Sequence, residues 1–565
     1  MKNNNFDKRI KIFFAIGVLC FLCLEIRLIY IQIFEHKKLN SMANRQHLET
    51  TELLANRGTI YDKRGNKLAF SINLLNVYAI PKIIKNSNEV IEKLSSTLNI
   101  DKGELYAKFK NAKLFLVKEG INEKELKAIR KAKFNGIDIA EESKRFYPLN
   151  TLACHILGFV GKDNKGLEGL ELNCDNILRG EKGFAIIERD GLKREVFLDV
   201  QKGNAAQSGH DIHLTIDNVI QHIAERELQK CASTYNAKAG MILVMNPKTG
   251  EILALANYPN YNPNEFGSFS SEHFRNRMVV DVFEPGSTFK IVTAGAALEE
   301  NLITEDSKIN CENGTFKIYD REIHDHEKYG WLTFREVMTY SSNIGFVKVG
   351  MMLGSKKIFE YARNFNFGNL TFIDLPGESK GVLRKSKEWT KASIAAIPFG
   401  QEVSITPIQL ACAYASIANN GVMMEPHVIK KITDSQGKTI SEPLPKKVRT
   451  VVSEKTAKRL QKLLEEVVKN GTGKAGAINK ISVAGKTGTA QKIDITTRKY
   501  SEYRYVSSFI GFFPVEDPQV LISVIIDEPK GGYWGGYIAA PVFSKTGEEV
   551  ARYLDIIHSE TGKNI

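Results

Sequence analysis

Residues Phe283–Val292 read FEPGSTFKIV, and TAGAALEE follows them. Pro285-Gly286 marks a turn, and the apolar run Ile291–Leu298 predicts a buried helix beginning near Ser287. On a helix, residues three apart share a face, so Lys290 Nζ is expected to reach Ser287 Oγ. A serine hydroxyl is a poor nucleophile until a base takes its proton. Lysine can act as that base only where burial or a neighbouring cation lowers its pKa. The apolar helix would provide the burial, and its N-terminus would offer unpaired N–H groups to a developing oxyanion. The spacing alone is weak. Ser435–Lys438 repeats it in the turn TDSQGKT, where nothing would hold the pair together, and a serine at a helix start commonly serves only as an N-cap.

Two further motifs give the first its context. Ser341-Ser342-Asn343 lies in MTYSSNIGF, and Lys486-Thr487-Gly488, followed by Thr489, continues the strand-like ISVAG. Both patterns also recur elsewhere. Ser71–Asn73 falls in the spacer, Lys248–Gly250 in a hairpin turn, and Lys545–Gly547 is expected at a helix start, with both of those lysines solvated. In the ordered set, Ser341 can pass a proton to a leaving amine and Asn343 can hold a substrate amide. Lys486 brings charge, and the Thr487 and Thr489 hydroxyls suit a substrate carboxylate. Gly485 and Gly488 are expected to leave the strand edge bare, so that a peptide adds as another strand. The Thr489 N–H is expected to be the second oxyanion donor beside that of Ser287. Ser-x-x-Lys, Ser-x-Asn and Lys-Thr-Gly, in that order, form the set found in class A β-lactamases and penicillin-binding proteins.

Outward from these motifs, residues 211–565 read as one large domain. HLTID (His213–Asp217) is strand-like and NVIQHIAERELQKCAST an amphipathic helix. GMILVMNPKTGEILALANYP reads as a hairpin. TAKRLQKLLEEVVKN is a second amphipathic helix. KISVAGKTGTAQKI, SSFIGFFPV and QVLISVIIDEP are successive strands, and PVFSKTGEEVARYLDII is a closing helix. This order predicts an α/β (α+β) fold, a sheet with helices on both faces. Residues 41–210 form a mixed region with turns at Arg57-Gly58 and Arg64-Gly65-Asn66 and helical stretches EVIEKLSSTL and EKELKAIRKA. No cluster of catalytic groups falls there, so a spacer or docking module is expected.

Residues 12–34 are apolar except near Glu25 and Arg27, and as a helix they reach about 35 Å, enough for a bilayer core of about 30 Å. No small-x-small cleavage site follows, so an uncleaved transmembrane anchor is expected rather than a signal peptide. Lys2, Lys8, Arg9 and Lys11 in the 1–11 tail place that end in the cytoplasm by the positive-inside rule. Lys and Arg exceed Asp and Glu by 78 to 65, a net charge of +13. This suits a solvated basic surface or anionic lipid. No zinc-finger spacing, aromatic-basic RNA signature or dense basic block points to nucleic acid. Seven scattered cysteines, two of them in the apolar run, argue against a disulfide framework. His324-Asp325-His326 lacks a third ligand at zinc-like spacing and is read as a loop near the site.

The chain resembles the class B penicillin-binding proteins along its length. The similarity rests on RGTIYDKRGNKLA, RFYP (Arg145–Pro148), LACHILGFVG, GLEGLE, the three motifs, and PFGQEVSITPIQLACAYASIANNG. The resemblance implies a penicillin-binding transpeptidase fold on a pedestal domain, with the catalytic domain outside the inner membrane. It implies D-Ala-D-Ala stem peptides as donors, β-lactams as inhibitors, and no metal or organic cofactor. Ser287 is then the nucleophile and Lys290 the base, with Ser341, Asn343, Lys486, Thr487, Gly488 and Thr489 lining the site. It also implies a polytopic glycosyltransferase partner of the shape-elongation-division-sporulation class and other divisome membrane proteins. Asn343 resembles the septal members, whereas many Gram-negative elongation members have Asp there. Gly400-Gln401-Glu402 departs from the family's usual Gly-Gln-Gly, as Lys63-Arg64 does from its Arg-Asn.

Class A is not indicated, because residues 41–210 lack the acidic motif pattern of its glycosyltransferase. A β-lactamase would need a glutamate to activate water, and none stands out; a secreted hydrolase would not need the anchored spacer. A D,D-carboxypeptidase differs only in what attacks second. A penicillin-sensing receptor would need a larger cytoplasmic part. A non-catalytic divisome scaffold would not need Ser287, Lys290 and Lys486 intact.

Overall fold

The computed structural model describes residues 4–556, apart from 54, 190–194, 320, 495 and 498. It divides into two compact units, residues 1–56 with 180–208, and residues 57–179 with 209–565.

In the first unit a helix over Asn4–Ile29 runs into a π-helical turn, Tyr30–Phe34. Phe6–Phe34 is the one described helix long and apolar enough to cross a membrane. Phe13, Phe14 and Phe21 are exposed on it, an apolar surface that a bilayer would cover. The helix starts well before residue 12 and so takes in most of the basic tail. Leu48–Leu53, Gly183–Arg189 and Glu195–Asn204 make a three-stranded antiparallel sheet in the same unit.

The second unit is built on a five-stranded sheet in the order Ile252–Tyr258, Ala239–Met245, Val520–Asp527, Tyr500–Phe513, Ala484–Ile493. Every pairing in it is antiparallel. Its central strands Ala239–Met245 and Val520–Asp527 are buried along nearly their whole length, as a sheet covered on both faces requires. Met241, Leu243, Leu521 and Ile525 join one core with the helices Lys290–Glu299, Pro407–Ala418 and Glu454–Asn470. Ile242, Val244, Ile522 and Val524 join the other, with Asn218–Thr234 and Gly535–Tyr553. The hairpin, the helices and the three late strands fall where the sequence places them. The closing helix begins earlier, at Gly535, with Pro541 inside it. Lys545 is therefore in mid-helix, not at a helix start.

A second sheet crosses the expected 210/211 boundary. Ile60–Tyr61 pairs antiparallel with Lys67–Ala79 and parallel with Asp211–Leu214, which pairs in turn with Ile429–Thr433. Asp62 forms the turn between the first two, accepting from Arg64 N at 2.9 Å and Asn66 N at 2.7 Å, while Gly65 supplies φ +86°. The turn expected at Arg57-Gly58 is absent. Arg57 is fully buried and ion-paired to Glu171 and Asp175, so its charge marks a core contact rather than a surface loop.

Candidate active site

The nucleophile candidate sits on a 3₁₀ turn, Gly286–Phe289, and the α-helix begins only at Lys290. Gly286 has φ +54°, and a Cβ there would come within 3.2 Å of the Thr489 carbonyl. This close approach sets the Ser287 turn against the third-motif strand. Gly488 allows the same contact from the other side, where a Cβ would lie 2.4 Å from Ser508 Oγ and 2.9 Å from Thr288 Cγ2. A Cβ on Gly485 would meet the Phe509 ring at 2.8 Å. The two glycines are thus needed for packing, not to bare an edge for substrate. The strand is nonetheless an edge strand of the sheet.

Lys290 and Lys486 are both fully buried and converge on one hydroxyl. Lys290 Nζ is 3.1 Å from Ser341 Oγ and Lys486 Nζ is 2.8 Å from it. Lys290 also donates to Ser341 O at 2.7 Å and Asn343 Oδ1 at 2.8 Å. Ser341 reaches this position with φ +62°, a left-handed conformation that costs a non-glycine residue about 1–3 kcal/mol. Burial, and then the Lys486 charge, hold the Lys290 pKa well below the usual lysine range, against a smaller opposing pull from Asp325. Burial lowers Lys486 to about 7. Lys290 Nζ thus has three oxygen partners, and Ser341 Oγ has two lysine partners.

The expected direct contact between Lys290 and Ser287 is not made. Ser287 Oγ is half-buried and has no hydrogen-bond partner among the described residues. The lysine is drawn instead to the second motif, which offers three oxygens. Catalytic hydrogen bonds often close only once substrate is bound.

Alternation along the third-motif strand separates Lys486 from the two threonines. Thr487 Oγ1 meets Thr472 Oγ1 at 2.9 Å, and Thr489 Oγ1 accepts from Gly535 N at 3.0 Å, at the start of the closing helix. Asn343 Nδ2 donates to His324 O at 3.0 Å. Asp325 accepts from Ser342 Oγ and from Ile344 N, fixing the N-terminus of the Asn343–Asn364 helix. His326 packs 4.5 Å from the Trp534 ring. The His-Asp-His stretch, read as a loop near the site, is thus the brace of the second motif. Spacing gave no sign of this, because Asp325 acts across 17 residues on a neighbouring element.

Comparison with known proteins gives this geometry a family. Residues 240–548 match the model for the penicillin binding protein transpeptidase domain, and 52–214 the penicillin-binding protein dimerisation domain. The chain is 35% identical to stage V sporulation protein D of Bacillus subtilis, over 96% of this chain and 85% of the relative. It is 34% identical to the probable peptidoglycan D,D-transpeptidase PenA of Neisseria gonorrhoeae, over 94% and 90%. For the peptidoglycan D,D-transpeptidase FtsI of Escherichia coli the identity is 30%, over 94% and 89%. Among solved structures, penicillin binding protein 2X from Streptococcus thermophilus superposes with a TM-score of 0.75 at 27% identity, over 89% of this chain and 80% of that one. Penicillin binding protein 3 from Mycobacterium tuberculosis, complexed with aztreonam, gives 0.71 at 26%, over 90% and 98%.

Proposed function

Because the chain belongs to the class B penicillin-binding proteins and is a peptidoglycan D,D-transpeptidase, we propose that its acyl-enzyme forms on Ser287, with Lys290 as base, in septal wall synthesis. The observation that carries the site reading is the Ser341 hydroxyl held between two buried lysines, beside the turn that presents Ser287. Ser287 Oγ attacks the carbonyl between the two terminal D-alanines, and its proton passes to neutral Lys290. The Ser287 and Thr489 N–H groups hold the oxyanion. Ser341 hands a proton to the departing D-alanine amine, and the C–N bond breaks. An acceptor amine then attacks the ester, loses a proton to the same relay, and releases Ser287. Asn343 holds the substrate amide. Lys486, Thr487, Gly488 and Thr489 receive the terminal carboxylate and the peptide edge.

Residues 12–34 are proposed as the anchor behind the 1–11 cytoplasmic tail. Residues 41–210 are the pedestal that docks a glycosyltransferase partner, and 211–565 are the external catalytic domain. Asn343 supports the septal assignment, and the basic residues before the anchor support the orientation.

The test is labelling of the full chain with a fluorescent penicillin, followed by digestion. Label confined to the Ser287 peptide and stable for hours supports the proposal. Label lost within minutes would indicate a β-lactamase, and no label would indicate a scaffold. With stem peptides and an amine acceptor, cross-linked dimer is expected; trimmed monomer alone would mean a carboxypeptidase. Depletion in the source cell should give filaments. Rounded cells would mean elongation, and normal growth with failed sporulation would follow the first relative named above.

The rate of labelling is expected to rise with pH as Lys290 loses its proton. In Lys486→Ala the neighbouring cation is gone, the Lys290 pKa goes up, and the rising limb of the profile moves to higher pH. Rate profiles of the two proteins that superpose would remove Lys486 as the cause.

A further inference from the structure

Glu402 stands where the resembled family usually has glycine, and its backbone keeps a glycine-like φ of +61°. A glutamate in that conformation is strained, so its side chain must be compensated. The carboxylate is largely buried and accepts from Arg321 Nη2 at 2.7 Å, Arg384 Nη2 at 2.6 Å and Ser393 Oγ at 2.7 Å. Its N–H donates to Glu284 Oε1 at 3.0 Å, and the other Glu284 oxygen accepts from Tyr500 OH at 3.0 Å.

Glu284 lies on the segment that carries Ser287, and Arg321 and Tyr500 lie on strands that contact the second and third motifs. Glu284 is three residues before Ser287, and Gly286 N donates to Gly400 O at 3.1 Å. Phe283 and Ile405 exchange backbone hydrogen bonds of 3.0 Å, so residues 283–286 are zipped to 400–405. Arg321 begins the strand that ends at His324, whose carbonyl holds Asn343. Tyr500 begins the strand paired to the third motif.

We propose that Glu402 is a positioning residue for acylation: by binding Arg321 and Arg384 while its backbone holds Glu284, it sets the Ser287 turn against the Ser341–Asn343 motif. It touches no reacting atom and acts through the segments it joins. The inference rests on the reading of Ser287 as nucleophile.

The experiment compares full-length wild type, E402G, E402Q and R384Q in detergent. It reads the maximal acylation rate by penicillin, the half-saturating penicillin concentration and the thermal unfolding midpoint. Glycine suits the backbone at +61°, so E402G should unfold no earlier than wild type. Its maximal acylation rate should nonetheless fall about 10- to 100-fold, the scale of a misplacement of about 1 Å, with little change in half-saturation. E402Q and R384Q should fall less, and E402G/R384Q should be no slower than E402G, because both changes break one link. Wild-type rates in E402G, or losses that simply follow the unfolding midpoint across the series, would overturn the proposal. If wild type carried no label on Ser287, the nucleophile reading would fail and this one with it. Label on wild type with an unchanged E402G would sink only the role of Glu402.

Discussion

Replacing Lys290 by alanine is expected to slow penicillin acylation by about 10²–10⁴-fold, the range that general-base catalysis spans. The lysine is the proposed base for the Ser287 proton. It is fully buried, begins the helix directly after the nucleophile's turn, and has its pKa held down by burial and by Lys486. The fold should survive. Two opposing terms accompany the change: the burial penalty of an amine is removed, and the Ser341 and Asn343 oxygens lose a donor, at about 1–3 kcal/mol for each buried group left unpaired. Lys290→Arg sharpens the test. Arginine cannot give up its proton at working pH, so it should be as slow as alanine if the lysine is a base. Rates near wild type in Lys290→Arg would show that only the positive charge matters. Rapid acylation of Lys290→Ala would remove the residue from the mechanism altogether.

Glu171→Gln is expected to destabilise the unit containing residues 57–179 and 209–565 by about 3–5 kcal/mol, the cost of breaking a buried ion pair from one side. Glu171 is fully buried and pairs with Arg57 Nε at 2.5 Å and Arg145 Nε at 2.7 Å, with the Tyr147 hydroxyl 3.3 Å away. Arg57 keeps Asp175 in the variant, but Arg145 has no second carboxylate among the described residues. Arg145 also donates to Gly58 O at 2.7 Å, two residues from the strand that joins the early and late halves of the second sheet. Loss of the carboxylate should therefore loosen that junction, seen as a lower denaturant midpoint and faster proteolysis, while the folded fraction still acylates. A variant as stable as wild type would show that Asp175 and solvent suffice for both arginines.

The proposed site residues are legible from spacing because they come in short local motifs. Ser287 and Lys290, Ser341 and Asn343, and Lys486 and Thr489 each lie within four residues of chain, so each pair is close in space whatever the tertiary fold. The five-stranded sheet is legible for a related reason. Its strands are apolar runs bounded by turn residues, and the helices covering them show amphipathic spacing. What spacing does not carry is direction. The reading that Lys290 reaches Ser287 used the correct periodicity, but another motif, 51 residues away, offered the ammonium better partners. Gly485 and Gly488 read as openings for substrate, yet the volume beside each is filled by Phe509 or by the nucleophile's own turn.

The sequence by itself determined the reaction class, the membrane helix and the sheet with its two helical layers. Each of these rests on patterns within a few residues, or on the order of motifs along the chain. Only the tertiary structure decided that two buried lysines share the Ser341 hydroxyl, that Asp325 braces the second motif, and that Arg57 is a core ion pair rather than a turn. Only it showed the Glu402 carboxylate bound by Arg321 and Arg384 while its N–H holds Glu284. A charged residue in a sequence looks the same whether water or another chain segment surrounds it. Burial raises the energetic stakes of its charge, and burial is a property of the packed fold.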